Sequence, residues 1–296
     1  MLTYPITATD HCRSSWSYLR NLLPRAPLSY LSKLFTSSHL TVNGTPASPE
    51  TVLAVGDSVC LKESGRTRSL LVSDPPLLDI LFEDDTLLII NKPAGLPMHR
   101  TAEAGDDNLV AVAERVMANR DTPVKLRPVN RLDRGTSGAA LLAKSATSAG
   151  MFGRFVKEVG LGKLYLAIVA GTPPAEGTVT EPLDGKDAET RFRTILQWPQ
   201  KSLLAVAPIT GRMHQIRRHL RLIGHPVLGD RRYGGAMLPG TTGHLLHAFR
   251  VSLEHPVSGR EITVHAPLPV SFIMQLRALT DEEAAATLVS LRQLSI

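Results

Sequence analysis

A single carboxylate between two arginines stands in a turn-forming segment at residues 130–138 (NRLDRGTSG). The carboxylate is Asp133, and Gly135 and Gly138 are expected to supply the permissive backbone angles that the turn needs. Neighbouring cations favour the ionised form of an aspartate, from which a nucleophile or a general base must start. Spacing alone leaves two interpretations open, a catalytic carboxylate presented into a cleft or a surface loop with an Asp–Arg ion pair.

A second concentration of reactive side chains is an arginine-rich segment between Gly211 and Arg232. The chain carries a net charge of +6, and this segment holds much of the excess, with six arginines against one acid, Asp230. The arginines are Arg212, Arg217, Arg218, Arg221, Arg231 and Arg232. Arginine favours bidentate contacts with phosphate and stacking on bases. The segment therefore indicates a nucleic-acid contact, with a solubilising surface stripe as the alternative.

Several other classes of protein lack support in the sequence. No run of 18 apolar residues and no secretion-signal pattern occurs, so we expect a soluble, cytoplasmic protein without a membrane segment. We also expect a monomer. Cys12 and Cys60 lie far apart without CxxC spacing, which predicts neither a disulfide framework nor a zinc cluster. His214 and His219 are five residues apart and do not share a helical face, so no metal site is predicted.

Hydrophobic periodicity predicts the elements that must position these residues. Strands are predicted at 86–91, 138–143, 164–169, 190–196, 203–208, 246–253 and 261–264. Helices are predicted at 107–119, 145–158 and 213–223 and, from a capping-box spacing, at 281–294. Several strands follow one another with only turns between them. This favours an α+β domain with a mixed, largely antiparallel sheet and flanking helices.

The chain is long enough, at 296 residues with 43% hydrophobic content, for one large domain and a small module. A small N-terminal α/β module is predicted at 1–62, in which two amphipathic helices precede a short strand and an Asn-Gly turn at 43–44. The polar, basic stretch that follows is typical of a linker, placed at 63–75. The large domain is then 76–296.

Four segments share their order and their residues with a known family. Residues 131–138 (RLDRGTSG) resemble the signature of the RluA-type pseudouridine synthases, which usually begins His-Arg-Leu-Asp and ends Thr-Ser-Gly. The other three are 88–97 (LIINKPAGLP), 163–171 (KLYLAIVAG) and 210–217 (TGRMHQIR), the last continuing through 224–226 and 229–230. The likeness covers residues 79–267, and four motifs in one order make chance agreement an inadequate explanation.

The resemblance implies an enzyme that isomerises uridine to pseudouridine in ribosomal or transfer RNA, on a base flipped out of the RNA. The reaction is redox-neutral, so no cofactor is expected. The resemblance implies that Asp133 is the catalytic carboxylate, that Tyr165 stacks on the uracil and assists proton removal from carbon 5, and that Arg217 pairs with Asp133. Arg131 would fill the gap left in the base stack, and Ile216 would support the base from below. For Tyr165 a core position, and for Arg217 a phosphate contact, stay open as alternatives.

Further residues are expected to contact the RNA or to support the residues that do. They are Arg134, Arg212, His214, Gln215 and Arg218. The family signature has histidine where this chain has Asn130. Asparagine cannot titrate near neutral pH, so we expect a structural or RNA-orienting role there.

The N-terminal module resembles a small RNA-binding fold that occurs in a ribosomal small-subunit protein and is often fused to these synthases. The resemblance implies that Lys33, Arg20 and Arg25 meet phosphate.

Two other functions are compatible with the residues. A nucleoside or sugar hydrolase would need a second carboxylate at a defined separation from Asp133, and the motifs supply no obvious one. An RNA-binding or ribosome-assembly protein with a decayed site would explain Asn130, although Asp133, Tyr165 and Arg217 are intact.

Overall fold

The computed structural model of the protein describes residues 1–71, 77–100, 107–120, 122–239 and 241–276, together with Thr287 and Leu291. Its N-terminal elements are β1 (Leu2–Pro5), α1 (Ser15–Leu22), α2 (Leu28–Thr36), β2 (Leu40–Val42), β3 (Thr45–Pro46) and β4 (Ser58–Leu61). The four strands form an antiparallel sheet in the order β1-β4-β2-β3. The predicted Asn43-Gly44 turn joins β2 to β3 with both φ angles positive, at 51° and 81°, as a tight hairpin requires.

A ten-stranded sheet forms the large domain. Its strands are β5 (Ile80–Glu83), β6 (Leu87–Lys92), β7 (Arg127–Pro128), β8 (Ser137–Ala143), β9 (Gly162–Ala170), β10 (Glu176–Val179), β11 (Thr190–Trp198), β12 (Lys201–Pro208), β13 (Leu246–Glu254) and β14 (Glu261–His265). Eight of them follow the order β10-β11-β12-β9-β13-β8-β6-β5, while β7 pairs with β8 and β14 with β13. All pairs are antiparallel except β8 with β13. The predicted mixed, largely antiparallel α+β architecture is confirmed.

Residues 131–136, called here the signature loop, run directly into β8, an interior strand that pairs with β6, β7 and β13. All seven residues of β8 (SGAALLA) are buried, because small and apolar side chains allow a strand to be covered on both faces. The turn that precedes β8 is therefore anchored to the most deeply buried part of the sheet.

The helices of the large domain flank the sheet. Helix α3 (Gly65–Leu70) instead contacts the N-terminal elements, through Thr67 and the Tyr30 hydroxyl at 3.0 Å. The helices of the large domain are α4 (Leu109–Ala118), α5 (Ala146–Glu158), α6 (Gln215–Leu222) and α7 (Val270–Leu276). The predicted helices at 107–119, 145–158 and 213–223 agree with α4, α5 and α6 to within two residues at each end. The helix predicted at 281–294 lies outside the described residues, apart from Thr287 and Leu291. No described helix has the length and apolar character needed to cross a bilayer.

Some elements were not predicted. Helix α7 and strands β1, β3, β5, β7 and β10 were missed, and α3 lies inside the stretch predicted as a linker. The division of the chain into 1–62, 63–75 and 76–296 stays a prediction.

The N-terminal elements contact the large sheet through a buried ionic cluster centred on Glu83 at the end of β5. Glu83 accepts from Arg20 at 2.7 Å, Lys144 at 2.9 Å and Arg120 at 3.4 Å, and its side chain is only 3% exposed. Burial alone would raise the pKa of Glu83, but the charges of Arg20 and Lys144 outweigh burial and lower it. The expectation that Arg20 meets phosphate is therefore corrected, because its guanidinium is buried against a carboxylate of the large domain.

Candidate active site

The loop that carries Asp133 is fixed from below by a fully buried lysine. The Lys92 ammonium donates to the carbonyl oxygens of Pro93 at 2.9 Å, Leu96 at 2.8 Å and Arg134 at 3.2 Å. Burial lowers the pKa of Lys92 to about 7, although the negative charge of Asp133 acts in the opposite direction. One side chain thus joins the segment after β6 to the signature loop before β8.

Close backbone approach, rather than an unusual φ angle, explains Gly135. Gly138 has a φ of 107° as predicted, but Gly135 is not among the glycines with positive φ. A Cβ at Gly135 would lie 2.8 Å from the ring of His244, and a Cβ at Gly243 would lie 2.8 Å from the Cα of Gly135. The segment before β13 therefore packs directly against the signature loop, with no room for a side chain at either glycine.

Arg217 on α6 joins two carboxylates. It donates from Nη1 to Asp133 Oδ2 at 2.7 Å, and from Nε and Nη2 to the two oxygens of Asp230 at 2.7 and 2.8 Å. The side chains of Arg217 and Asp230 are 7% and 1% exposed, whereas Asp133 is 29% exposed. Burial favours the neutral form of Asp230, but its hydrogen bonds with Arg217 prevail and lower its pKa. Asp230 thus holds the guanidinium from behind, and Asp133 is presented towards solvent.

No role was predicted for Asp230, the one acid of the arginine-rich segment. Its pairing with Arg217 spans 13 residues of chain that include a helix end and a turn. The acid stood out as the only one in the arginine-rich segment, and that was the available signal.

His214 and Tyr233 complete the surroundings of Asp133. His214 precedes α6 in a left-handed conformation, with φ of 53°, which directs its ring towards the signature loop. Its Nε2 lies 3.7 Å from Asp133 Oδ1, and its Nδ1 lies 2.9 Å from the Tyr233 hydroxyl. Burial lowers the pKa of His214, so the imidazole is neutral at neutral pH. The Tyr233 ring lies 4.9 Å from the Arg217 guanidinium, which confines that side chain further.

A cavity of about 490 Å³ opens beside Asp133 and is called here the base-side cavity. Its wall includes Asp133 and the apolar or aromatic side chains of Tyr165, Ile216, Leu246 and Val156. Burial raises the pKa of Tyr165, and the charge of Asp133 raises it further. The phenol therefore stays protonated at neutral pH. Such a cavity can hold a planar, mostly apolar ring next to an ionised carboxylate.

Asn130 also borders the base-side cavity, but its side chain bonds to the sheet. Its amide donates to the carbonyl of Ala139 at 3.2 Å and accepts from the amide of Leu141 at 2.8 Å, both on β8. Asparagine thus ties the signature loop to its own strand with a donor and an acceptor.

The other predicted site residues divide into those at the cavity and those held elsewhere. Arg131 and Arg212 line the base-side cavity, and Arg212 also donates to the carbonyl of Asp187 at 2.8 Å. Arg134 donates to the carbonyl of Gly95 at 3.0 Å. Lys33 is exposed on α2.

Gln215 and Arg218 have protein partners that the sequence did not reveal. The amide of Gln215 is buried and bonds with Thr210, Thr190 and two backbone groups, which fixes this loop at the wall of the base-side cavity. Arg218 forms a bidentate pair with Asp184 at 2.8 and 3.0 Å.

Comparisons with known proteins agree with this geometry. Residues 86–222 match the family described as RNA pseudouridylate synthase. Ribosomal large subunit pseudouridine synthase C of Buchnera aphidicola is 32% identical over 89% of this chain and 92% of its own length. The enzyme of the same name from Escherichia coli K12 is 30% identical over the same shares of the two chains. Human RNA pseudouridylate synthase domain containing 4 matches 67% of this chain and 91% of its own with a TM-score of 0.55 and 26% identity.

Proposed function

The chain belongs to the RNA pseudouridylate synthase family, and on that premise we propose that Asp133 is the carboxylate with which it isomerises uridine in large-subunit ribosomal RNA. The observation that carries the proposal is the 2.7 Å pair of Asp133 with the buried Arg217, beside a cavity whose wall includes Tyr165, Ile216 and Leu246. The curated relatives over most of the chain are named as ribosomal large subunit pseudouridine synthases, which supports this RNA as the substrate rather than transfer RNA.

The chemistry rearranges bonds without oxidation or reduction. The bond between ribose C1′ and uracil N1 breaks, the uracil turns, and a bond forms between C1′ and C5. The proton on C5 is then lost and N1 gains one, so the product is an isomer of the substrate. An enzyme can reach these atoms only when the uridine has left the base stack. In our proposal, the flipped uracil enters the base-side cavity and places C1′ beside Asp133.

The surrounding residues take roles that follow from their contacts. Tyr165 and Ile216 enclose the uracil ring. Because the phenol of Tyr165 stays protonated, it is suited to stacking and hydrogen bonding and less suited to act as a base that starts as the anion. Arg217 keeps Asp133 ionised and oriented. Arg131, which lines the base-side cavity, occupies in our proposal the space that the base vacates.

A hydrolase is disfavoured by the same geometry. The second carboxylate of the site, Asp230, is 1% exposed and engaged on both oxygens by Arg217. It cannot reach a substrate to act as the acid or base of a hydrolytic pair.

The test compares two aspartates that each pair with an arginine. Asp133→Asn should abolish pseudouridine formation in ribosomal RNA from cells that lack the wild-type gene. Asp184→Asn removes the same charge from the exposed pair with Arg218 and should retain the modification. Pseudouridine mapping at single-nucleotide resolution identifies the site in both strains. Full modification in the Asp133→Asn strain would overturn the proposal.

A further inference from the structure

A second cavity, of about 390 Å³, adjoins the base-side cavity and is called here the basic cavity. The two share a wall of five residues, Arg131, Leu132, Asp133, His214 and Arg217. The rest of the basic cavity is lined by Pro97, Met98, His99, Arg134, Gly135, Arg232 and His244. Its volume lies in the range of small-molecule sites. Asp133 therefore borders two cavities, and the aromatic side chain, Tyr165, lines the base-side cavity.

The lining of the basic cavity is strongly cationic. It contains four arginines and three histidines against one carboxylate, Asp133. Arg217 is neutralised, because Asp133 and Asp230 both bind it. In the described part of the chain, no carboxylate pairs with Arg131 or Arg232. Two positive charges thus border the cavity without an anionic partner.

The basic cavity is poorly suited to a base. No Phe, Tyr or Trp lines it, whereas Tyr165 lines the base-side cavity. Burial lowers the pKa of His244 to about 4 and, together with the charge of Arg131, lowers that of His99. These imidazoles are neutral at neutral pH and can donate or accept hydrogen bonds without adding charge. The cavity thus offers arginines and polar rings to a small anion.

We propose that the basic cavity binds the backbone phosphate adjoining the flipped uridine, with Arg232 as its cationic partner. This inference rests on the proposed function, because it requires the uracil in the base-side cavity and C1′ at Asp133. A nucleotide with its base on one side of Asp133 must then direct its ribose phosphate away from the apolar wall. Phosphate contacts fix the register of a protein on its RNA, so this phosphate would align C1′ with the carboxylate.

The test removes the charge from the RNA and from the protein in turn. A single methylphosphonate, which is uncharged, replaces the phosphate on the 5′ or the 3′ side of the target uridine in an RNA that the wild-type enzyme modifies. For one of the two positions, we expect kcat/KM to fall roughly fivefold to tenfold with the wild-type protein. Arg232→Ala should lower kcat/KM similarly on unmodified RNA, and it should reduce the log-log salt slope of binding by about one.

The two changes together should have no more effect than either alone, because both remove the same contact. Arg231 and Arg232 are both exposed and both lie on a one-turn 3-10 helix, Arg231–Tyr233, but Arg231 does not line the basic cavity. The Arg231→Ala variant is therefore the matched control and should still respond to the methylphosphonate. Arg232→Lys should restore part of the loss. If the variant still forms pseudouridine, and if the effects of Arg232→Ala and of the methylphosphonate on kcat/KM are fully additive at both positions, the phosphate site is overturned and the proposed function stands. Absence of pseudouridine from every reaction, including wild type on unmodified RNA, would instead overturn the proposed function.

Discussion

Replacing Asp230 by asparagine perturbs the site without touching any group that faces the RNA. Asp230 binds the Nε and Nη2 atoms of Arg217 from behind and is 1% exposed. Asparagine keeps the shape and one acceptor oxygen, but it loses the charge and turns an N–H group towards the guanidinium. Arg217 is then left buried with Asp133 as its remaining carboxylate partner.

The size of the effect follows from this burial. Removing one partner of a buried ion pair costs about 3 to 5 kcal/mol, and the retained oxygen of asparagine places Asp230→Asn near the lower figure. The exposed pair of Asp184 with Arg218 contributes about 1 kcal/mol or less, so Asp184→Asn is the matched control. A displacement of Asp133 by about 1 Å lowers the rate of the chemical step about a hundredfold. We therefore expect kcat to fall about a hundredfold and the KM for RNA to change little.

The assay separates orientation of the carboxylate from general loss of folded protein. RNA carrying tritium on C5 of uridine releases it when pseudouridine forms, which gives kcat and KM for protein shown to be folded by circular dichroism and urea denaturation. Combining Asp230→Asn with Arg217→Lys should have less than the summed effect, since both act through one guanidinium. An Asp230→Asn variant that loses the expected stability but keeps its kcat would refute this role of Asp230. A loss of activity that appears as a higher KM for RNA would refute it as well.

Three further predictions concern stability. Burial lowers the pKa of Lys92 to about 7 in the folded protein, against an ordinary 10.5, so between these pH values the folded state binds fewer protons than the unfolded state. From pH 7 to 9, the free energy of unfolding of the wild type should therefore rise by about 2 to 3 kcal/mol relative to Lys92→Met, as measured by urea titration. Burial lowers the pKa of His247 to about 4, so the unfolded state gains a proton on this side chain at a higher pH than the folded state does. As the pH falls from 6.5 to 4, the free energy of unfolding of the wild type should fall by about 3 kcal/mol more than that of His247→Gln, again in urea titrations. An equal loss in both proteins would contradict this prediction. Glu83→Gln should lower the free energy of unfolding by about 3 kcal/mol or more, whereas Glu50→Gln, in the exposed pair with Arg260, should cost less than about 1 kcal/mol.

The sequence predicted those parts of the fold that depend on local pattern. Strand β8 is a short run of small and apolar residues next to a glycine-rich turn. Helices α4 and α5 begin after Asn108 and Ser145, whose side chains accept hydrogen bonds from the first turn. The signature turn could be located for a similar reason, because its glycines and hydroxyl residues are adjacent in the chain. Family membership and the α+β architecture followed from such segments and are confirmed.

The parts that escaped prediction depend on partners distant in the chain. In the sequence, Arg20 has the pattern of a surface cation, but in the structure it donates to Glu83, which is 63 residues away in the chain. Gln215 looks available to RNA until the loop around Thr190 closes over its amide. Strand β5 is four residues long and is held by pairing with β6 rather than by periodicity of its own. Burial and hydrogen bonding of this kind are set by the tertiary structure, and local spacing does not encode them.

Because Gly135 and Gly243 pack against each other, we expect activity to appear late when the chain folds. The two residues are far apart in sequence, and the segment that carries Gly243 reaches the signature loop only once β13 has paired with β8 and β9. Contacts of such long range form slowly, because the intervening chain must lose its freedom before they contribute any stability. A refolding chain will therefore regain its helices before its catalytic centre. Recovery of activity is accordingly a stricter measure of native structure in this protein than recovery of circular dichroism.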